Sequence, residues 1–152
     1  MEHLNNNSCS TTLRDIPASL FISTYATYLK NSGQIQLPSW VDITKSGSHK
    51  IFSPTNPDWI FFRFASLVRR IYVYGGQGVG SLRRVYGGKK KRGSKPAVKK
   101  NSGGKIIRLA LKELERLKII EKNPSGKRYI SKKARKDIDI RSKKIFLSIE
   151  KK

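Results

Sequence analysis

The chain is 152 residues long and carries 33 Lys and Arg against 10 Asp and Glu, a formal charge of +23. That length supports one domain with a single core. A charge so far from zero opposes compaction, so it answers a polyanion: nucleic acid, an anionic membrane or an acidic protein. One cysteine excludes an intrachain disulfide, and Cys9 with only His3 and His49 for company makes no zinc-ligand set.

The distribution of charge says more than its size. Residues 1–60 carry four basic and four acidic side chains, whereas fifteen Lys or Arg and no acid fall between Asp58 and Glu113. The partner surface therefore belongs to the second half. Residues 1–13 are rich in Asn, Ser and Thr and are expected to form a disordered tail. They hold no apolar run of signal-peptide length, and no apolar stretch of roughly 18 residues exists to span a membrane. Without a secretory signal, the glycosylation triplet Asn6-Asn7-Ser8 reads as chance. A single domain is expected over residues 14–145 and a short tail over 146–152.

A first helix is expected from near Pro17 to Asn31, with Phe21, Tyr25, Tyr28 and Leu29 on one face, Ile22 and Ala26 alongside, and Gly33 as its stop. Residues 34–56 hold Pro38 and Pro54 and read as a linker that lays short extended pieces and one turn of helix over the core, with Trp40 as a packing residue. The central helix follows. Asn56, Pro57 and Asp58 signal its start, and it runs to about Tyr74. Ile60, Phe64, Leu67, Val68 and Ile71 form one stripe, and Phe61, Ala65 and Tyr72 widen it. Little beyond the line through Arg63, Ser66 and Arg70 stays polar.

Glycines 75, 76, 78, 80, 87 and 88 punctuate the next stretch. A dinucleotide loop would follow a strand and open a helix, so the comparison fails here. The gap from Gly88 to Ser94 lacks the phosphate-binding lysine. A two-stranded ribbon around Leu82 to Tyr86 is expected, with exposed amides able to meet phosphate. Residues 89–104 hold seven basic residues and almost nothing to bury, and read as an extension that orders on phosphates.

Ser102 is a candidate cap for a third helix over Lys105 to Leu117, with Ile107, Ala110, Leu111, Leu114 and Leu117 in a stripe. A hairpin follows, Ile119 to Glu121 and Arg128 to Ile130 around a reversal at Asn123 to Gly126. A last helix opens at Ser131, with Ala134, Ile138, Arg141 and Ile145 in register. Helix then basic hairpin is the order of a winged-helix module. Asp137 and Asp139 would point apart on that helix, so no carboxylate pair for acid–base work arises, and no catalytic, metal or cofactor set is expected.

Several motifs resemble the eukaryotic and archaeal type of small-subunit ribosomal protein nineteen. They are Asp15-Ile16-Pro17-Ala18, Leu29-Lys30-Asn31-Ser32-Gly33, Leu37-Pro38-Ser39-Trp40-Val41-Asp42, Asp58-Trp59, Arg63, Ala65-Ser66, Arg69, Gly75-Gly76, Gly78-Val79-Gly80-Ser81, Tyr86-Gly87-Gly88 and Leu117-Lys118-Ile119-Ile120-Glu121-Lys122. They fall in family order over residues 12–140. The resemblance implies a mainly α, winged-helix-like domain around the central hydrophobic helix, with short β-hairpins. It also implies a place in the head of the small subunit beside neighbouring ribosomal proteins, contact with ribosomal RNA, and a role in precursor-RNA maturation. The compartment would be the cytoplasmic ribosome, with a nuclear or nucleolar assembly phase in a eukaryote. No membrane and no small-molecule substrate are expected.

The expected RNA surface comprises Arg69, Arg70, Arg83, Arg84, Lys89, Lys90, Lys91, Arg92, Lys95, Lys99, Lys100, Lys105 and Arg108, with Gly76, Gly78 and Gly80 letting backbone approach. Trp59 and Arg63 are read as structural; Arg63 and Arg69, inside the helix, either brace neighbouring groups or contact phosphate. Two rivals share these features. The same order and charge fit a DNA-binding winged-helix or linker-histone-like protein, and the glycines alone suggest a phosphate-handling enzyme.

Overall fold

A computed structural model describes residues 11–150. The expected disorder of residues 1–10, with His3, Cys9 and the Asn6-Asn7-Ser8 triplet, lies outside the described residues, as do residues 151 and 152. Order begins before residue 14. Leu13 is fully buried in a single 3-10 turn, Leu13–Asp15, and the Asp15 carboxylate accepts the Thr12 N–H at 2.7 Å and the Thr12 hydroxyl at 2.9 Å. Those bonds hold the Asp15 carboxyl below its ordinary range, the backbone donor acting most strongly.

Helix α1, Ala18–Asn31, buries Phe21, Tyr25, Ala26 and Leu29. Tyr28, expected on that face, is exposed, and its ring instead carries the Arg141 guanidinium at 3.5 Å. Helix α2, Trp59–Tyr74, is the centre of the core: Ile60, Phe64, Ala65, Leu67, Val68 and Ile71 are all buried to 1% exposure or less. At roughly 1.5–3 kcal/mol per large side chain, this one element supplies a large share of the apolar driving force. It starts at Trp59 rather than Pro57, because Asn56 Oδ1 accepts the Asp58 N–H at 2.8 Å and folds a turn first. Asp58 then pairs with Lys30 at 2.7 Å, which ties the start of α2 to the end of α1.

After Gly75 the chain forms helix α3, Val79–Val85, where a ribbon was expected. Leu82 is fully buried and Tyr86, four residues on, packs against the core. That spacing makes one helical face, which the flanking glycines obscure in the sequence. The basic segment is also ordered. Strands β1, Gly88–Arg92, and β2, Lys95–Lys100, pair antiparallel around Gly93, with an irregularity between Lys90 and Arg92. The reason lies at its base rather than along it: Ser102 N–H donates to Arg83 O at 3.0 Å and Gly103 N–H to Ser46 O at 2.9 Å.

Helix α4, Gly104–Arg116, buries Ile106, Ile107, Ala110, Leu111 and Leu114. Ser102 does not cap it. Gly103 holds that position, and the Ser102 hydroxyl is buried with no hydrogen-bond partner among the described residues. Strands β3, Ile120–Lys122, and β4, Arg128–Ile130, form the second hairpin, and β4 bridges to Gln77 through two backbone bonds. Arg128 Nε reaches Glu115 at 2.9 Å, fixing the hairpin against α4. Helix α5, Lys132–Glu150, continues past residue 145, with Ala134, Ile138, Ser142 and Ile145 buried. Asp139 is not a merely solvated charge, since its Oδ1 accepts the Tyr72 hydroxyl at 2.7 Å. The molecule is thus mainly helical with two short hairpins. Among the described residues, no helix is long and apolar enough to cross a membrane.

Candidate nucleic-acid interface

The β1–β2 hairpin concentrates charge in a form the sequence does not disclose. Its register sets Lys89 opposite Lys99 and Arg92 opposite Lys95, and every side chain from Lys89 to Lys100 is exposed. Like charges directly opposite each other disfavour a ladder. No acid is available nearby in sequence to relieve them. The hairpin nevertheless leaves the domain in a defined direction. A Cβ on Gly87 would lie 2.4 Å from Lys100 O, so the turn out of α3 and the end of β2 touch through bare backbone.

The basic side chains between this hairpin and the core are held by aromatic and backbone partners. Along the polar line of α2, the Arg63 guanidinium lies 4.3 Å from the Tyr86 ring centre and that of Arg70 lies 3.8 Å from Tyr74. The Tyr86 hydroxyl pairs with Ser66 Oγ at 2.8 Å. Burial pulls the Arg63 pKa down and pushes the Tyr86 phenol up, and each partly offsets the other. Arg69 and Arg70 both keep an enclosed Nε without a hydrogen-bond partner among the described residues. Arg63 is half-buried, and Trp59 packs against the core.

A second group gathers where α3 meets α4. Arg83 Nε donates to Ser102 O at 3.1 Å, and the side chains of Arg83 and Arg108 both lie against Gly104. Lys105 sets its ammonium 4.1 Å from the Trp40 ring centre, so Trp40 packs and also positions a cation. Arg84 is exposed on α3.

The three glycines divide. Gly76, at φ +41°, is covered by Tyr129, whose hydroxyl lies 2.9 Å from where a Cβ would stand. Its backbone therefore serves an internal contact between the α2–α3 turn and β4. Gly78 and Gly80 have nothing within 4 Å of a built Cβ and stay open at the start of α3.

Reading from sequence missed the contribution of residues 45–52. Lys45 and Lys50 share a groove of about 580 Å³ with Lys89, Lys90 and Lys91, and the His49 ring wedges against Gly47 and Gly88. The only signal available was a pair of lysines in a segment that otherwise reads as linker. Among the described residues no group of His, Cys, Asp or Glu could hold a metal ion.

The family profile described as Ribosomal protein S19e matches residues 12–148. The chain belongs to this family. Small ribosomal subunit protein eS19 of Dictyostelium discoideum is 43% identical over 136 residues, which is 89% of this chain and 92% of that protein. Small ribosomal subunit protein eS19G of Ascaris suum is 41% identical over 131 residues, 86% and 88% of the two chains. The eS19 protein of Oryza sativa subsp. japonica is 39% identical over 133 residues, 88% and 91%. S19e proteins are structural ribosomal proteins, not enzymes. The S19e match runs well past the last quoted motif, which ends at Lys122, and past residue 140, and takes in most of α5.

Proposed function

We propose that this chain is a structural constituent of the small ribosomal subunit that binds ribosomal RNA through the surface described above and supports subunit assembly and precursor-RNA maturation. The observation that carries the RNA contact is the β1–β2 register. A ladder that sets Lys89 against Lys99 and Arg92 against Lys95 is under repulsion in the free protein, and phosphate between the strands' side chains removes it. Arg70, Arg83, Arg84, Lys105 and Arg108 continue the surface onto the domain, with Gly78 and Gly80 offering open backbone. Contacts of this kind position a protein on an RNA without reading its sequence. The relatives' names support the particle, the small ribosomal subunit; ribosomal neighbours in the subunit head and a nucleolar phase in a eukaryotic cell are part of the same proposal.

Two measurements test this. A tagged chain should cosediment with small-subunit-sized particles in a sucrose gradient and recover small-subunit ribosomal RNA. Retention on chromatin instead would favour the DNA-binding alternative. In titrations of isolated RNA, engagement of about ten phosphates gives a log–log salt slope of roughly −7 to −9, and a slope near zero would sink the basic-surface reading.

A further inference from the structure

We propose that the groove between residues 45–52 and β1 takes an unpaired nucleotide, its base stacked on Phe52 and its flanking phosphates on Lys50, Lys89 and Lys91. This rests on the RNA-binding reading above and deepens it, from a surface that meets phosphates to a site that holds a base. Phe52 is 82% exposed, with Ile51 beside it at 74%. With Ile51 it offers an open apolar face beside lysines, onto which a base can stack. The ring borders the groove of about 580 Å³ shared with Lys45, Lys50 and β1, a size suited to one small ligand. It also borders a second groove of about 550 Å³ that Trp59 and Arg63 line.

The charge around the ring selects the occupant. No Asp or Glu lines either groove, and the cations come from both the loop and the hairpin. A cationic groove with an aromatic face is the arrangement by which proteins hold single strands, the ring taking the base and the cations the backbone. A paired base is stacked within its own helix and cannot reach the ring. The loop is seated on the hairpin: a Cβ at Gly47 or Gly88 would come within 2.9 Å of the His49 ring, and His49 Nδ1 is enclosed without a hydrogen-bond partner among the described residues. Ring and lysines therefore present one surface.

The test compares the full chain with its Phe52→Ala, Phe52→Leu and Phe52→Trp variants. Each is titrated with a short mixed-sequence single-stranded RNA and with an RNA duplex of the same length, at fixed salt. Because Phe52 is exposed, the variants should fold, and thermal melts verify it. Phe52→Ala and Phe52→Leu should weaken single-strand binding about fivefold or more while leaving duplex binding within about twofold, and Phe52→Trp should keep wild-type affinity. Unchanged single-strand binding by Phe52→Ala overturns the inference while the basic-surface reading stands. Full affinity in Phe52→Leu also overturns it, since the contact would then be apolar rather than stacking. A wild-type chain that binds neither probe overturns the basic-surface reading, and this inference with it.

Discussion

Gly87 and Gly80 show how the same residue type carries two different instructions. At Gly87 any side chain meets Lys100 O, so Gly87→Ala must push the hairpin off α3. The expected cost is about 1–3 kcal/mol, read as a lower melting temperature. At Gly80 the space is open and the backbone is helical. Gly80→Ala should therefore stabilise the free protein by roughly 0.5–1 kcal/mol, and weaker RNA binding by this more stable variant would identify Gly80 as a point of backbone approach. Two buried tyrosines make stability depend on alkaline pH. Burial pushes Tyr25 and Tyr72 up to about 12 from 10.0, with Asp139 adding to the effect at Tyr72. The unfolded chain ionises first, so the stability both phenols contribute is complete below about pH 10 and is lost as pH rises toward 12. Tyrosinate absorbance should show Tyr25 and Tyr72 among the late-titrating groups, beside the upward-shifted Tyr86, and Tyr72→Phe should remove one of them. These residues were legible in the sequence as apolar-face positions. The hydroxyl partner of Tyr72 was not, because Tyr72 and Asp139 stand 67 residues apart and meet only through the packing of α5.

At the scale of elements, the strongest periodicities were sufficient. Helix α2 and helix α4 each carry a stripe long enough that no other structure buries it, and the turn from Asn123 to Gly126 sets the second hairpin. The failures share a cause. Helix α3 and the β1–β2 hairpin have too few apolar residues to declare themselves, so their form is imposed by what they attach to: Leu82 in the core for one, Gly87 and the Ser46, Arg83, Ser102 and Gly103 backbone bonds for the other. The register of the hairpin gives a direct test. Lys99→Glu replaces the repulsion with Lys89 by an attraction worth about 0.2–1 kcal/mol. Amide protection in the hairpin should rise while RNA affinity falls and the salt slope becomes shallower. A variant that gains protection and keeps its affinity would show that the hairpin charge serves some other partner.

For the molecule as a whole, a charge of +23 gives salt opposite effects on two quantities. Screening relieves self-repulsion, so the melting temperature of the free protein should rise between low and physiological ionic strength, while RNA affinity falls over the same range. Melting temperature that is flat in salt would mean the cations are already dispersed enough not to repel. What the sequence determined by itself was the buried stripes of α2 and α4, the sign and chain location of the charge, and the family resemblance, because burial periodicity and net charge are properties of neighbours along the chain. What only the tertiary structure decided was which cations stand together. The α2 line beside Tyr86, the Arg83–Arg108 group at Gly104, and the meeting of Lys45 and Lys50 with β1 each join side chains from separate elements. The range of a charge's influence is a distance in space, and the core alone sets that distance.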